Sequence, residues 1–242
     1  MSPASLLDRL RPLVDETIGS LAQTKFRTDP IGGERYSKAT SIVSSAYKRH
    51  GQIIEAAILE RLKDCDYFTA WREADFKIPS VADHAVEARN SDGADFSMEL
   101  PYDGNGRTIQ IDAIVFDERI GSLRAYEIKR GNGHFDAGKK RSILRDILAT
   151  QSLLKGYGAH KGFVSTHTEA RLIAYYGILP LPEPFSISGT EMDDHFVFPV
   201  YQAVEEVNGY FKARLYQLLD KETGIATQAD ISQLCDRCPF HH

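Results

Sequence analysis

The residues best suited to chemistry lie in two short stretches, Ile111-Asp112-Ala113 and Tyr126-Glu127-Ile128-Lys129. Residues two apart on a strand share a face, so Glu127 and Lys129 project together. If the two stretches pair as a hairpin, Asp112 sits across from them. Two carboxylates and an ammonium then meet at the edge of an apolar sheet. Acids set among apolar strand residues are costly unless they bind something. Mg²⁺ suits such a site, because it takes oxygen ligands and needs only one or two carboxylates beside a substrate phosphate. A cation held there polarises a phosphodiester and activates a water. Lys129 would orient that water or neutralise charge on the phosphate. The competing explanation is a solvated cross-strand Glu–Lys pair without function. Against it, Ile111, Ile114, Val115, Leu123, Tyr126 and Ile128 mark both stretches as central strands.

Positioning these groups requires particular elements. Arg107–Phe116 and Leu123–Lys129 read as the two hairpin strands, with a turn over 117–122. Asp103-Gly104-Asn105-Gly106 is a strong turn signal upstream. Helical spacing predicts helices over 4–22, over about 37–63 with a break near Gly51, over 136–155 and over 200–219. Residues 23–35, with Pro30 and Gly32-Gly33, read as a loop, and 80–94 as another. Tyr67–Trp71 and Asp75–Pro79 read as short strands, as do Phe96–Leu100 and His160–Ser165. Residues 177–190 are rich in proline and glycine. The order predicts an α/β or α+β fold with a mixed sheet.

Asp112 followed by Glu127-Ile128-Lys129 resembles the signature of the PD-(D/E)XK nuclease superfamily, whose members share a restriction-endonuclease-like fold. The resemblance spans roughly residues 50–166 and includes the order helix, hairpin, helix, strand. It implies a single nuclease domain over 1–242. That domain has a helical extension over 1–50, the core over 51–166, and a C-terminal extension over 167–242 for DNA reading or dimerisation. The implied core is a mixed central sheet flanked by helices. The implied metal-holding set is Asp112, Glu127, Ile128 and Glu55, the last from the helix before the hairpin. The implied catalytic set adds Lys129 and Gln151, with Arg145 as the second choice on the following helix. One departure is Ile111 where the family pattern has proline.

The implied activity is Mg²⁺-dependent DNA cleavage by a type II restriction-like homodimer, with Mn²⁺ as a substitute metal. A structure-specific repair or mobile-element nuclease is the alternative, as is a catalytically silent nucleic-acid-binding module of the same fold. Arg130, Lys139, Lys140 and Arg141 follow the motif and are placed for phosphate contact. Three of these cations fall at a helix start, where they oppose the macrodipole.

Composition narrows the classes further. A net charge of −5 argues against a coating or packaging protein but not against a nuclease. No apolar run approaches the ~18 residues of a membrane span. Three cysteines give no disulfide framework, and no secretion signal is read at the start, so a cytoplasmic protein is expected. Cys235-Asp236-Arg237-Cys238 carries zinc-compatible types, but a lone Cys-x-x-Cys beside two adjacent histidines is weak, and zinc is not expected there. His50, His84 and His195 lack the serine or cysteine context of a nucleophilic triad.

Overall fold

A single glycine inside a helix costs only ~1 kcal/mol, and the long helix predicted around Gly51 is continuous. The computed structural model describes residues 4–88 and 98–224. The chain forms two compact units, one from the segments up to Ile53 and from Glu205 onward, the other from Ile54–Val204.

The first unit is helical. Helix α1 (Leu6–Ala22) starts at Ser5, whose hydroxyl accepts from the Asp8 amide at 3.2 Å. It buries Leu6, Leu10, Val14, Ile18 and Leu21, the stripe that helical spacing predicts. Helix α2 (Gly33–Leu62) begins earlier than expected and passes Gly51 without a break. Its Ile42, Ala46 and Ile53 are buried here, as are Val207, Phe211, Leu215 and Leu218 of helix α6 (Tyr201–Thr223). His50 hydrogen-bonds Asn208 at 2.9 Å and stacks on Phe211, which ties α2 to α6 next to Gly51. Asp15 accepts from Tyr210 and Arg214 at 3.0 and 2.9 Å.

The second unit carries the sheet. Its strands are β1 (Phe68–Ile78), β2 (Arg107–Asp117), β3 (Ser122–Lys129), β4 (His167–Ala174) and β5 (Ser186–Ser188), side by side in that order. The first three run antiparallel, and β4 and β5 continue parallel to β3. Parallel neighbours need a crossover, which helix α4 (Ala137–His160) provides between β3 and β4. Ile143, Ile147, Leu148 and Leu154 of α4 pack on Ile114, Leu123, Ala125 and Leu172 of the sheet. Helix α3 (Ser80–Glu87) joins that face. On the other face Phe196, from helix α5 (Met192–Phe196), meets the rings of Phe68 and Tyr126. This is an α+β fold with a five-stranded mixed sheet flanked by helices.

Four expectations need correction. Ser80–Glu87 is helical, not loop; only Ala82 is buried, too little apolar pattern to register as a helix. The two short strands after Tyr67 are one strand with register irregularities. No strand forms over 160–165, because α4 continues to His160 and the chain turns at Gly162, φ +87°; the strand is His167–Ala174. In the stretch expected as a strand over 96–100, residues 96 and 97 lie outside the described residues. Met98–Leu100 is not a strand, although the Leu100 amide bonds the Ser152 carbonyl at 2.7 Å. Cys235, Cys238 and the terminal histidines also lie outside the described residues. Among the described residues no helix is long and apolar enough to cross a membrane.

Candidate active site

The two strands form the expected hairpin. Ala113 faces Tyr126 and Ile114 faces Ala125 across the β2–β3 pair. The β1–β2 pair adds what the sequence does not announce. Trp71 pairs with Ile114 and Glu73 with Ile111, so two steps along β1 match three along β2. The extra residue is a β-bulge at Asp112–Ala113, a device that re-aims a side chain. It explains why Ile111 and Ile114 both join the core under α4 while every residue from Ile111 to Val115 is buried.

Asp112 sits at this bulge and is 4% exposed. Its Oδ2 accepts from the Ile128 amide at 2.8 Å and its Oδ1 from Gln110 Nε2 at 3.0 Å. Those bonds fix the carboxylate against β3. Lys129 Nζ lies 3.8 Å from Asp112 Oδ2 and forms a close ion pair with Glu127 Oε1. It also donates to the Ile128 carbonyl at 3.2 Å. Asp112, Glu127 and Lys129 are therefore one cluster, with the ammonium between the acids.

Glu55, on the later part of α2, joins the cluster electrostatically. Its carboxyl is pushed up to about 7, first by burial and then by the charge of Asp112, with Lys129 and Arg72 pulling the other way. Arg72 Nη2 lies 3.9 Å from Glu55 Oε2. Glu127 is also raised, by burial above all and by Asp112, against the pull of Lys129. Burial would lower Lys129, but the charges of Glu127, Asp112 and Glu55 outweigh it and raise it. Glu55 and Glu127, both raised by burial and by the charge of Asp112, form with it an oxygen donor set that a hard divalent cation fits. Among the described residues no three acid, histidine or cysteine side chains stand together as a ready metal cage. The carboxylates are instead held apart around Lys129. Asp112, Glu127 and Glu55 would hold the ion, and Ile128, whose carbonyl already accepts from Lys129, is the main-chain group beside them.

The remaining predicted residues fall at different places. Lys139 lines a cleft between the sheet and α4 that Glu127 also lines. Lys140 is half-buried and Arg141 exposed on the first turns of α4, after the cap in which Asp136 accepts from the Lys139 amide. The Arg130 guanidinium lies over the Tyr176 ring, 5.5 Å from its centre. Gln151 Oε1 accepts from the β4 amide of Ala170 at 3.4 Å, outside that cleft. Arg145 Nε lies 3.7 Å from Asp146 and 3.9 Å from Asp83.

Several site neighbours carried no sequence signal. Gln110, an exposed strand residue, holds Asp112. Arg107 binds both oxygens of Asp83 at 2.8 Å and Asp146 at 2.6 Å, joining β2, α3 and α4 at the cleft. Only the alternation of polar and apolar residues from Arg107 to Asp112 could have drawn attention to Gln110. On the sheet's other face, the Tyr126 hydroxyl and His195 Nε2 are hydrogen-bonded at 2.6 Å, and His195 lies 3.4 Å from Glu169. No protein-family model, no curated protein and no solved structure matches this chain.

Proposed function

We infer that this chain is a divalent-metal-dependent phosphodiesterase that cuts DNA, with a restriction-endonuclease-like core and a type II restriction-like mode of action as a homodimer. The supporting observation is the buried Asp112–Glu127–Lys129 cluster on a bulged hairpin, with Glu55 beside it. A desolvated acid without a partner would be costly, and here Asp112 and Glu127 share the Lys129 ammonium while Glu55 lies between the pull of Lys129 and Arg72. When bound, Mg²⁺ would supply Lewis acidity and an activated water. The chain's own groups do the rest. Asp112 is fixed by the Ile128 amide and by Gln110, so it offers an oxygen with little reorganisation. Lys129 is the cation between Asp112 and Glu127 and would move from the acids toward a substrate phosphate. Lys139 in the cleft and Arg130, Lys140 and Arg141 nearby supply charge for the phosphate backbone.

The test is cleavage of plasmid and of complex genomic DNA with Mg²⁺. Wild type should cut, and Asp112→Ala and Lys129→Ala should each lose at least ~100-fold. No cleavage of any DNA form, or variants as active as wild type, removes the reading. Discrete fragments from long duplexes support a restriction-like enzyme, whereas cuts confined to junctions, flaps or ends place it with repair or mobile-element nucleases.

A further inference from the structure

The cleft beside Glu127 has a shape of its own. Ala125 and Ala170 pair in register on the neighbouring parallel strands β3 and β4. Both are buried on the face turned to α4 and form the floor of the cleft. Methyl groups at both positions leave open the space that larger side chains would fill. Ile111 of β2 and Ile147 of α4 add apolar walls. The cavity measures about 130 Å³, below the ~300–1,000 Å³ of drug-sized ligand pockets and on the scale of one small ring system. Polar groups gather around it: Glu127, Lys139, Ser142 and Asp146. The Asp146 carboxylate is not free to swing, because Arg107 holds it at 2.6 Å and is itself clamped by Asp83.

An apolar floor bordered by polar groups suits a flat ring that stacks on its face and hydrogen-bonds at its edge. On the phosphodiesterase reading, on which this inference rests, a nucleotide whose phosphate lies at Asp112 and Glu127 carries such a ring one sugar away. We propose that the slot receives a nucleobase turned out of its strand, with Ser142 and Asp146 reading the base edge and so setting the base preference of cleavage. Asp146 only accepts hydrogen bonds when ionised, so the slot favours a base that turns N–H donors toward it. Base extrusion of this kind costs stacking, which the buried apolar floor offsets.

The experiment follows the fluorescence of 2-aminopurine deoxyribonucleoside 5′-monophosphate titrated with the full chain in EDTA, so that the readout does not depend on metal or turnover. Wild type should give saturable quenching, competed by deoxyadenosine monophosphate and not by deoxyribose 5-phosphate. Ala170→Leu fills the floor and Ser142→Phe blocks a half-buried wall position on α4; each should weaken binding at least tenfold. If Ala170→Leu does not fold, Ser142→Phe with an unchanged circular dichroism spectrum and Tm carries the test. Absence of saturable quenching, equal competition by the sugar phosphate, or unchanged affinity in folded Ser142→Phe overturns the proposal. Cleavage of DNA without nucleotide binding discards the slot and leaves the proposed function standing. Nucleotide binding without cleavage of any substrate does the reverse.

Discussion

Glu55 has opposing electrostatic neighbours, Asp112 ahead of Glu127 among the acids and Lys129 ahead of Arg72 among the cations. With its carboxyl pushed up to about 7, it is largely protonated in mild acid. A protonated acid is a poor metal ligand, so metal binding competes with protons. Cleavage should therefore rise with pH through about 7 and continue upward as metal-bound water ionises. In Glu55→Gln the step near neutrality should vanish from the pH–rate profile while the alkaline rise remains. Mn²⁺ should replace Mg²⁺, and Ca²⁺ should support DNA binding with little cleavage, because its looser coordination fits the Mg²⁺ geometry poorly. A rate that peaks in acid, or cleavage undiminished in EDTA, would rule out this role for the cluster. Asp112, Glu127 and Lys129 were legible from sequence because a short turn makes their strands neighbours and strand periodicity sets their faces. Asp146 and Arg107 were not, since their pairing is fixed by long-range packing, and Gln110 is singled out only by its bond to Asp112 two residues on.

At the scale of elements, sequence periodicity recovered helices α1, α2, α4 and α6 and the hairpin. It failed where periodicity is thin or interrupted. Helix α3 buries a single alanine, β5 is three residues long, and the bulge in β2 is a mismatch between strands that no single strand displays. The end of α5 carries a different irregularity. Val197 adopts φ +52°, ψ +39° as the left-handed cap of that helix, while 71% exposed. A β-branched residue is an outlier there, because Cβ crowds the following carbonyl. Its carbonyl accepts from the Tyr67 hydroxyl at 3.3 Å, a main-chain contact that a substitution retains. Asn tolerates this conformation without the extra unfolded-state freedom that glycine brings. Val197→Asn should therefore stabilise by about 1 kcal/mol, read as a higher denaturant midpoint with an unchanged slope. A midpoint that falls would show that the Val197 side chain contributes more than its backbone costs.

Across the whole molecule, two buried groups should drive stability in opposite directions with pH. His195 is packed on the sheet's outer face among Glu169, Arg171, Arg124 and Glu191, and its ring is pulled down to about 4, first by burial, with Glu169 opposing. Its folded pKa lies below the unfolded value of 6.5, so stability is full above 6.5 and is lost as pH falls toward 4. Glu55 behaves oppositely. Its folded pKa lies above the unfolded 4.5, so its stabilisation is present below 4.5 and is lost as pH rises through about 7. Each shift corresponds to about 3 kcal/mol, and the two windows overlap between about 4.5 and 6.5. The wild-type chain without metal should therefore show little net change in Tm from these two groups across that interval. Single substitutions separate them. Glu55→Gln leaves the histidine, and its Tm should rise with pH from 4 to 6.5. His195→Gln leaves the acid, and its Tm should fall with pH from 4.5 to 7. Adding Mg²⁺ should flatten the slope of His195→Gln, because a bound cation favours the ionised Glu55, and should leave the slope of Glu55→Gln unchanged. Parallel Tm profiles for the two variants would mean that neither group is buried and coupled in this way.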